Sequence, residues 1–280
     1  MIIGLAPMAG YTDYAFRLLC RECGAQLAYT EMASAEALVR GNQKTPKLLK
    51  TSKRDSPLAV QLFGAEARAL CEAAGIVEKK TDWIDFNLGC PAPDLTKNGC
   101  GAALLRDKKK AAALVNALAS TTKKPVSVKI RLGWDSNECT ALCKAFDKAG
   151  AERIAIHGRT AGQGYSGEAN WKPIYAAKKA VSCEVFGNGD IKSKAQALQT
   201  GKGLDGVLIG RAALGNPGVF GKEMDKRAAF AKWLAYAGEP PLAQVTRQAM
   251  VFASGLPHAK DVKRAVSAAR TVDAVKKCFQ

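Results

Sequence analysis

Along most of the chain, short runs of apolar or alternating residues are each followed by a longer stretch with helical spacing. The runs span residues 2–6, 25–32, 58–63, 83–88, 126–132, 153–157, 184–187 and 206–209. Ala-, Lys- and Leu-rich segments such as 65–80, 107–122, 136–149 and 191–202 lie between them. Strands that alternate with helices build a parallel sheet with covered faces. Eight such units within residues 1–221 fit a closed barrel better than an open doubly wound sheet. The expected fold is therefore α/β, a (β/α)8 TIM barrel. After Phe220 the alternation stops, and residues 222–280 read as a small C-terminal helical domain broken at Pro240-Pro241 and Ser254-Gly255-Leu256-Pro257.

Successive side chains of a strand point to opposite faces. In 126–132 the apolar set is Val126, Val128, Ile130 and Leu132, and the polar set is Ser127, Lys129 and Arg131. In 83–88, Ile84, Phe86 and Leu88 alternate with Asp85 and Asn87. Leu58, Val60 and Leu62 alternate with a set holding Gln61, and Ile154 and Ile156 with a set ending in His157. The apolar sets should face the helices and the polar ones the barrel interior, near the strand C-termini where barrel enzymes build their sites. Polar groups there are costly unless they meet a polar ligand. His157 alone reads equally well as a satisfied core residue; four strands converging on one rim point to a pocket. The turns Gly187-Asn188-Gly189-Asp190 and Gly210-Arg211 follow the seventh and eighth strands, where barrels commonly bind phosphate.

Composition narrows the partners. The 42 basic and 25 acidic residues leave a net charge of +17, with a sequence pI of about 9.6. Such a field makes nucleic acid the first partner to consider, although a basic surface kept for solubility has the same composition. At 48% hydrophobic residues, widespread disorder is excluded. No apolar run approaches about 18 residues, and the opening Met1-Ile2-Ile3-Gly4 lacks the basic region of a signal peptide. Nine scattered cysteines suit reduced thiols, so a cytoplasmic protein with no membrane partner is expected. Cys20-x-x-Cys23 and Cys139-x-x-x-Cys143 fall in helix-like segments without knuckle turns, so no metal is expected.

The residues also carry a family pattern. Ala6-Pro7-Met8-Ala9-Gly10-Tyr11-Thr12-Asp13 with Phe16-Arg17 resembles the opening motif of the tRNA-dihydrouridine synthases, and Gln61-Leu62-Phe63-Gly64 their third-strand motif. Asn87-Leu88-Gly89-Cys90-Pro91 is similar to their catalytic motif, followed by Gly101-Ala102-Ala103-Leu104-Leu105. Val128-Lys129-Ile130-Arg131-Leu132-Gly133, His157-Gly158-Arg159-Thr160, Asn188-Gly189-Asp190 and Gly210-Arg211 continue the match in order. The resemblance covers roughly residues 2–220. It implies an FMN enzyme that takes electrons from NADPH and reduces uridine to dihydrouridine in tRNA, acting as a monomer. Pro7, Met8 and Ala9 would line the flavin, Gln61 and Lys129 would bond its ring edge, and His157, Asn188, Gly189, Asp190, Gly210 and Arg211 would hold its phosphate end.

In the same resemblance Cys90 is the general acid that protonates C5 after hydride reaches C6. A thiol of pKa about 8.5 is mostly protonated near neutral pH yet able to give up its proton, whereas an aspartic acid at about 3.9 is already ionised. Without the motif, Cys90 would read as an inert buried cysteine. Asn87 would recognise the uracil edge, Arg131 would contact substrate, and Lys97, Arg159 and Thr160 would meet it from rim loops. Lys260, Lys263, Arg264 and Arg270 would grip tRNA from the tail. The sequence departs from the family pattern at Gly218, where an aromatic residue is common, and in a short C-terminal region.

Overall fold

The computed structural model describes residues 1–42 and 45–280. Its strands are β1 (Ile2–Leu5), β2 (Leu27–Tyr29), β3 (Ala33–Ser34), β4 (Leu58–Phe63), β5 (Trp83–Leu88), β6 (Val126–Arg131), β7 (Arg153–His157), β8 (Glu184–Asn188) and β9 (Gly206–Ile209). Neighbours run parallel from β4 through β9 to β1 and β2, and β2 pairs back onto β4. The sheet therefore closes as an eight-stranded (β/α)8 TIM barrel, as the alternation predicts. The two-residue β3 continues along the upper part of β4. The expected run 25–32 is thus interrupted at Thr30, Glu31 and Met32. The Thr30 hydroxyl accepts from the Gln61 N–H, and the Glu31 carboxylate from Gly10 N–H, so side-chain bonds to residues distant in sequence stand where the regular ladder is interrupted.

The helices are α1 (Tyr14–Glu22), α2 (Ala35–Val39), α3 (Thr45–Leu48), α4 (Ala67–Val77), α5 (Pro93–Thr96), α6 (Lys108–Thr121), α7 (Cys139–Lys148), α8 (Lys172–Lys178) and α9 (Lys194–Thr200), then α10 (Lys226–Ala237), α11 (Leu242–Phe252), α12 (Ala259–Ala268) and α13 (Val272–Lys277). Asp13, Ser34, Asp107, Ser193, Asp225 and Thr271 cap six of them, each accepting from the backbone N–H three residues on. Outward-facing Val126, Val128, Ile130, Ile154 and Ile156 join the helices in one apolar layer. Inside the barrel a smaller cluster of Leu27, Tyr29, Ala59, Ala155, Phe186 and Leu208 fills the lower end. Above it the register sets Gln61 beside Asp85 and Asp85 beside Ser127. Asn87 lies beside Lys129, and Arg131, His157 and Asn188 follow one another around the rim.

Of the four tail helices, α10 and α11 pack on α1 and the β1–α1 loop, and α12 and α13 pack on α11. Phe230, Trp233, Phe252 and Phe279 form their aromatic core, and Phe252 also meets Phe16 of α1. The polar side of this contact converges on the N-cap residue of α1. Asp13 Oδ1 accepts from Phe16 N–H (2.8 Å) and Trp233 Nε1 (3.1 Å), while Oδ2 accepts from Gln244 Nε2 (3.0 Å) and Gln248 Nε2 (3.1 Å). Gly215 lies so near α11 that a Cβ there would stand 2.1 Å from the Val251 carbonyl oxygen, at a φ of +65°. Asp13→Ala should cost about 1 kcal/mol for the cap and about 1–3 kcal/mol more for buried donors left unpaired. Urea unfolding checks this; stability within a few tenths of a kcal/mol of the parent would show that the tail does not depend on this carboxylate.

Candidate active site

The strand C-termini open into a cavity of about 770 Å³, within the usual range for small-molecule and cofactor sites. One wall is the β1–α1 loop, Pro7 to Tyr11. Its shape is set from behind: Met8 N–H donates to the Thr12 hydroxyl (3.1 Å), and the Thr12 carbonyl accepts from Arg17 Nη1 (2.7 Å). Arg17 is itself fixed by a fully buried ion pair with Asp55 at 2.7 Å. Removing one partner would leave an uncompensated buried charge, which makes such a pair a strong local constraint.

Cys90 stands at the end of β5, half-buried, with its side chain on the cavity. Its backbone is held on both sides. The Cys90 N–H donates to Asn87 Oδ1 (3.0 Å), and its carbonyl accepts from Ala102 N–H (2.9 Å). Gly101, at φ +60°, makes the second bond possible, because a Cβ there would lie 2.6 Å from the Cys90 carbonyl oxygen. One residue earlier, the Gly89 carbonyl accepts from Arg131 Nε (3.0 Å).

Fourteen of the residues singled out in the sequence line this cavity: Pro7, Met8, Ala9, Gln61, Asn87, Cys90, Lys129, Arg131, His157, Asn188, Gly189, Asp190, Gly210 and Arg211. Lys97, Arg159 and Thr160 do not. Lys97 is exposed at the end of α5. Arg159 is only 2% exposed and pairs with Asp190 (2.7 Å), while also donating to the Ser166 and Gly167 carbonyls. Thr160 is buried, its carbonyl taken by Arg131 Nη1 (2.8 Å). The polar groups of Arg159 and Thr160 are engaged within the β7–α8 loop, Arg159 with the Ser166 and Gly167 carbonyls and Thr160 with Gln163. Lys260, Lys263 and Arg264 lie on α12, and Arg270 follows it; all are exposed except Lys263, which is half-buried.

Asp190 lines the cavity with its carboxylate engaged by neighbouring arginines. A carboxylate does not attract a phosphate; here it bridges Arg159 and Arg211 and accepts from Ala169 N–H. Burial alone would raise its pKa, but the Arg159 and Ala169 bonds outweigh that and hold it below the usual range. Arg211 is held beside the cavity mouth with half its side chain exposed. Burial pushes Lys129 down to about 8, with Arg131 adding to the shift and Asp85 and Cys90 opposing it, so it stays largely cationic at neutral pH. Burial, then Lys129, Arg131 and Arg159, drive His157 down to about 2. Its Nδ1 is buried without a hydrogen-bond partner.

The neutral His157 ring, the buried Lys129 cation and a half-exposed Arg211 beside two glycine turns line one cavity, a set suited to a planar, electron-accepting ring with a phosphate arm. Among the described residues, Tyr11 of the opening motif also lines the cavity, as do Tyr165 and Met32, which were missed in the sequence. Tyr165 is 61% exposed, with the Arg211 guanidinium 4.3 Å and that of Arg131 5.6 Å from its ring. Its one sequence signal is an aromatic residue between glycines in a βα loop.

The sequence profile of the family described as Dihydrouridine synthase (Dus) matches residues 4–275. A tRNA-dihydrouridine synthase B of Pseudomonas aeruginosa is 41% identical over 226 residues, 79% of this chain and 68% of the relative. A probable tRNA-dihydrouridine synthase of Aquifex aeolicus is 39% identical over 230 residues, 80% of this chain and 72% of the relative. Among solved structures, mandelate oxidase with 3,3-difluoro-2-hydroxy-3-phenylpropionic acid superposes with a TM-score of 0.51 at 19% identity, over 98% of this chain and 77% of that one. A mandelate oxidase variant with a C4a-OH-FMN adduct gives 0.50 at 20% identity, over 98% and 78%. These likenesses show the barrel fold alone. No helix among the described residues is long and apolar enough to cross a membrane.

The unfolded chain protonates His157 near pH 6.5, while the fold holds the ring neutral down to about pH 2. This group therefore withdraws stability as pH falls below about 6.5, by up to about 1.4 kcal/mol per pH unit. In protein freed of phosphate-bearing ligands, the His157 ring resonances should not move between pH 5 and 8; a titration in that window would contradict the burial argument.

Proposed function

The chain belongs to the dihydrouridine synthase family, whose members are flavin-dependent oxidoreductases, and from that premise we propose that it reduces uridine to dihydrouridine in tRNA, using FMN and NADPH. The observation that carries the reading is Cys90, fixed through both sides of its backbone on a cavity that Lys129 and His157 also line. Lys129, Gln61 and the Pro7–Ala9 loop would hold the flavin ring, and His157, Asn188, Gly189, Gly210 and Arg211 its phosphate end. When bound, the flavin supplies the hydride for uracil C6. Charge would then develop at C5, and the Cys90 thiol would deliver the proton there.

Asn87 would read the base. Its Oδ1 accepts from Gly89 and Cys90 N–H, and one Nδ2 hydrogen goes to Gln61. Among the described residues, the amide's remaining donor capacity meets Met32 Sδ at 3.6 Å, a weak acceptor that a uracil carbonyl would replace. A uracil in folded RNA must leave its stack to reach this depth. A net charge of +17 supports a polyanionic substrate gripped through phosphates and recognised by shape. We assign the tail, residues 222–280, to that grip, with Lys260, Lys263, Arg264 and Arg270 as its basic face and Lys97 as a rim contact.

The deciding experiment is single-turnover oxidation of the reduced protein by unmodified tRNA without oxygen, followed by nucleoside mass analysis. A gain of two hydrogens at uridine establishes the reaction; a flavin oxidised by free pyrimidines but not by tRNA would redirect the assignment to a small substrate. Cys90→Ala should retain flavin and slow the tRNA step by about 10²-fold or more; an unchanged rate would remove Cys90 as the acid. The double reversal K263E/R264E should weaken tRNA binding and lower the slope of log affinity against log salt by about 2. An unaltered slope would take these residues out of the interface.

A further inference from the structure

Asp85 is buried inside the barrel at 0% exposure and is not among the residues that line the cavity. Its Oδ1 accepts from Ser127 Oγ at 2.6 Å and its Oδ2 from Gln61 Nε2 at 2.7 Å. From Gln61 the bonds run on in one direction. Gln61 Oε1 accepts from Asn87 Nδ2 at 2.9 Å, and Asn87 Oδ1 accepts from Cys90 N–H at 3.0 Å. An ionised carboxylate can only accept and a backbone N–H can only donate. With both ends fixed, each amide between them has a single orientation that satisfies every bond.

We propose that Asp85 is a positioning residue for the reduction: through the Gln61 and Asn87 amides it sets where Cys90 stands and keeps the spare Asn87 N–H turned toward the cavity. The inference rests on the reading of Cys90 as proton donor. An amide in place of the carboxylate offers Gln61 a donor as readily as an acceptor, so the relay loses its direction. An inverted Asn87 then presents its own N–H groups to the Gly89 and Cys90 donors, and the loop is released.

Protonation of Asp85 has the same effect. The groups facing this carboxyl are Gln61 of β4, Ser127 and Lys129 of β6, Arg153 of β7 and Tyr29 of β2. Burial raises Asp85 to about 6, against the Gln61 and Ser127 hydrogen bonds and the two cations that favour the ionised form. The tRNA-dependent step should therefore fall off on the acid side near that pH. Ser127→Ala removes one bond to the ionised form and should move this acid limb to higher pH.

The test compares Asp85→Asn, Cys90→Ala and the double variant D85N/C90A in single-turnover oxidation of chemically reduced protein by tRNA, with flavin content as control. The expected result is a loss of about tenfold or more in D85N with flavin retained, and a double variant no slower than C90A alone. A wild-type rate in D85N, or losses that multiply in the double variant, would overturn the role of Asp85 and leave that of Cys90 standing. A C90A variant as fast as wild type would instead remove the proton donor, and the positioning role with it. Should D85N fail to hold flavin, the pH profile of S127A decides: an upward shift supports the relay, and an unmoved limb rejects it.

Discussion

A carboxylate sealed inside a barrel has to be met by donors, and the donors that meet Asp85 fix much of what stands above it. The register of parallel strands leaves little choice of partner. Gln61 is its neighbour on β4 and Ser127 its neighbour on β6. Both bond it, and Gln61 passes the constraint upward to Asn87 and so to the Cys90 backbone. Polar groups in such an interior are costly singly and rigid when every member is satisfied. The depth of the barrel thus specifies its mouth.

Electrostatics at the mouth follow a similar division. Lys129, Arg131, Arg159 and Arg211 stand within one rim, but the protein uses them differently. Arg159 is neutralised by Asp190 below the surface, and Arg131 spends its donors on the carbonyls of Gly89, Thr160 and Gly164. Lys129 and Arg211 keep capacity toward the cavity. Burial, with Lys129, Arg131 and Arg159 adding to it, holds His157 neutral, so the ring is not a further charge. A site arranged this way is poised for an anionic or electron-rich guest before one arrives.

The strands and the inward polar set were legible because both follow a period of two along short local runs. Gln61, Asp85, Asn87, Ser127 and Lys129 all lie on the face that alternation assigns them. Cys90 was found through a motif; its spacing alone says nothing about reactivity. Other features were hidden because they depend on contacts between loops far apart in sequence. The break at Thr30–Met32 stands where side chains bond Gly10 and Gln61. The ion pair of Arg159 with Asp190 has no local signal, and Tyr165 reaches the cavity from a loop with no regular pattern. The tail's seat on Asp13 joins residues more than 200 positions apart.

That seat has a consequence for modularity. Asp13 begins α1, ends the loop that walls the cavity, and carries the donors of α10 and α11, while Gly215 lets α11 press backbone to backbone on the barrel's last turn. The joint between the two parts is therefore not at the linker near residue 221 but is spread over both ends of the barrel chain. A chimera that grafts a foreign tail at that linker inherits a mismatched socket. One that carries the Tyr11–Arg17 segment and the Gly215 turn along with the tail transplants the joint whole.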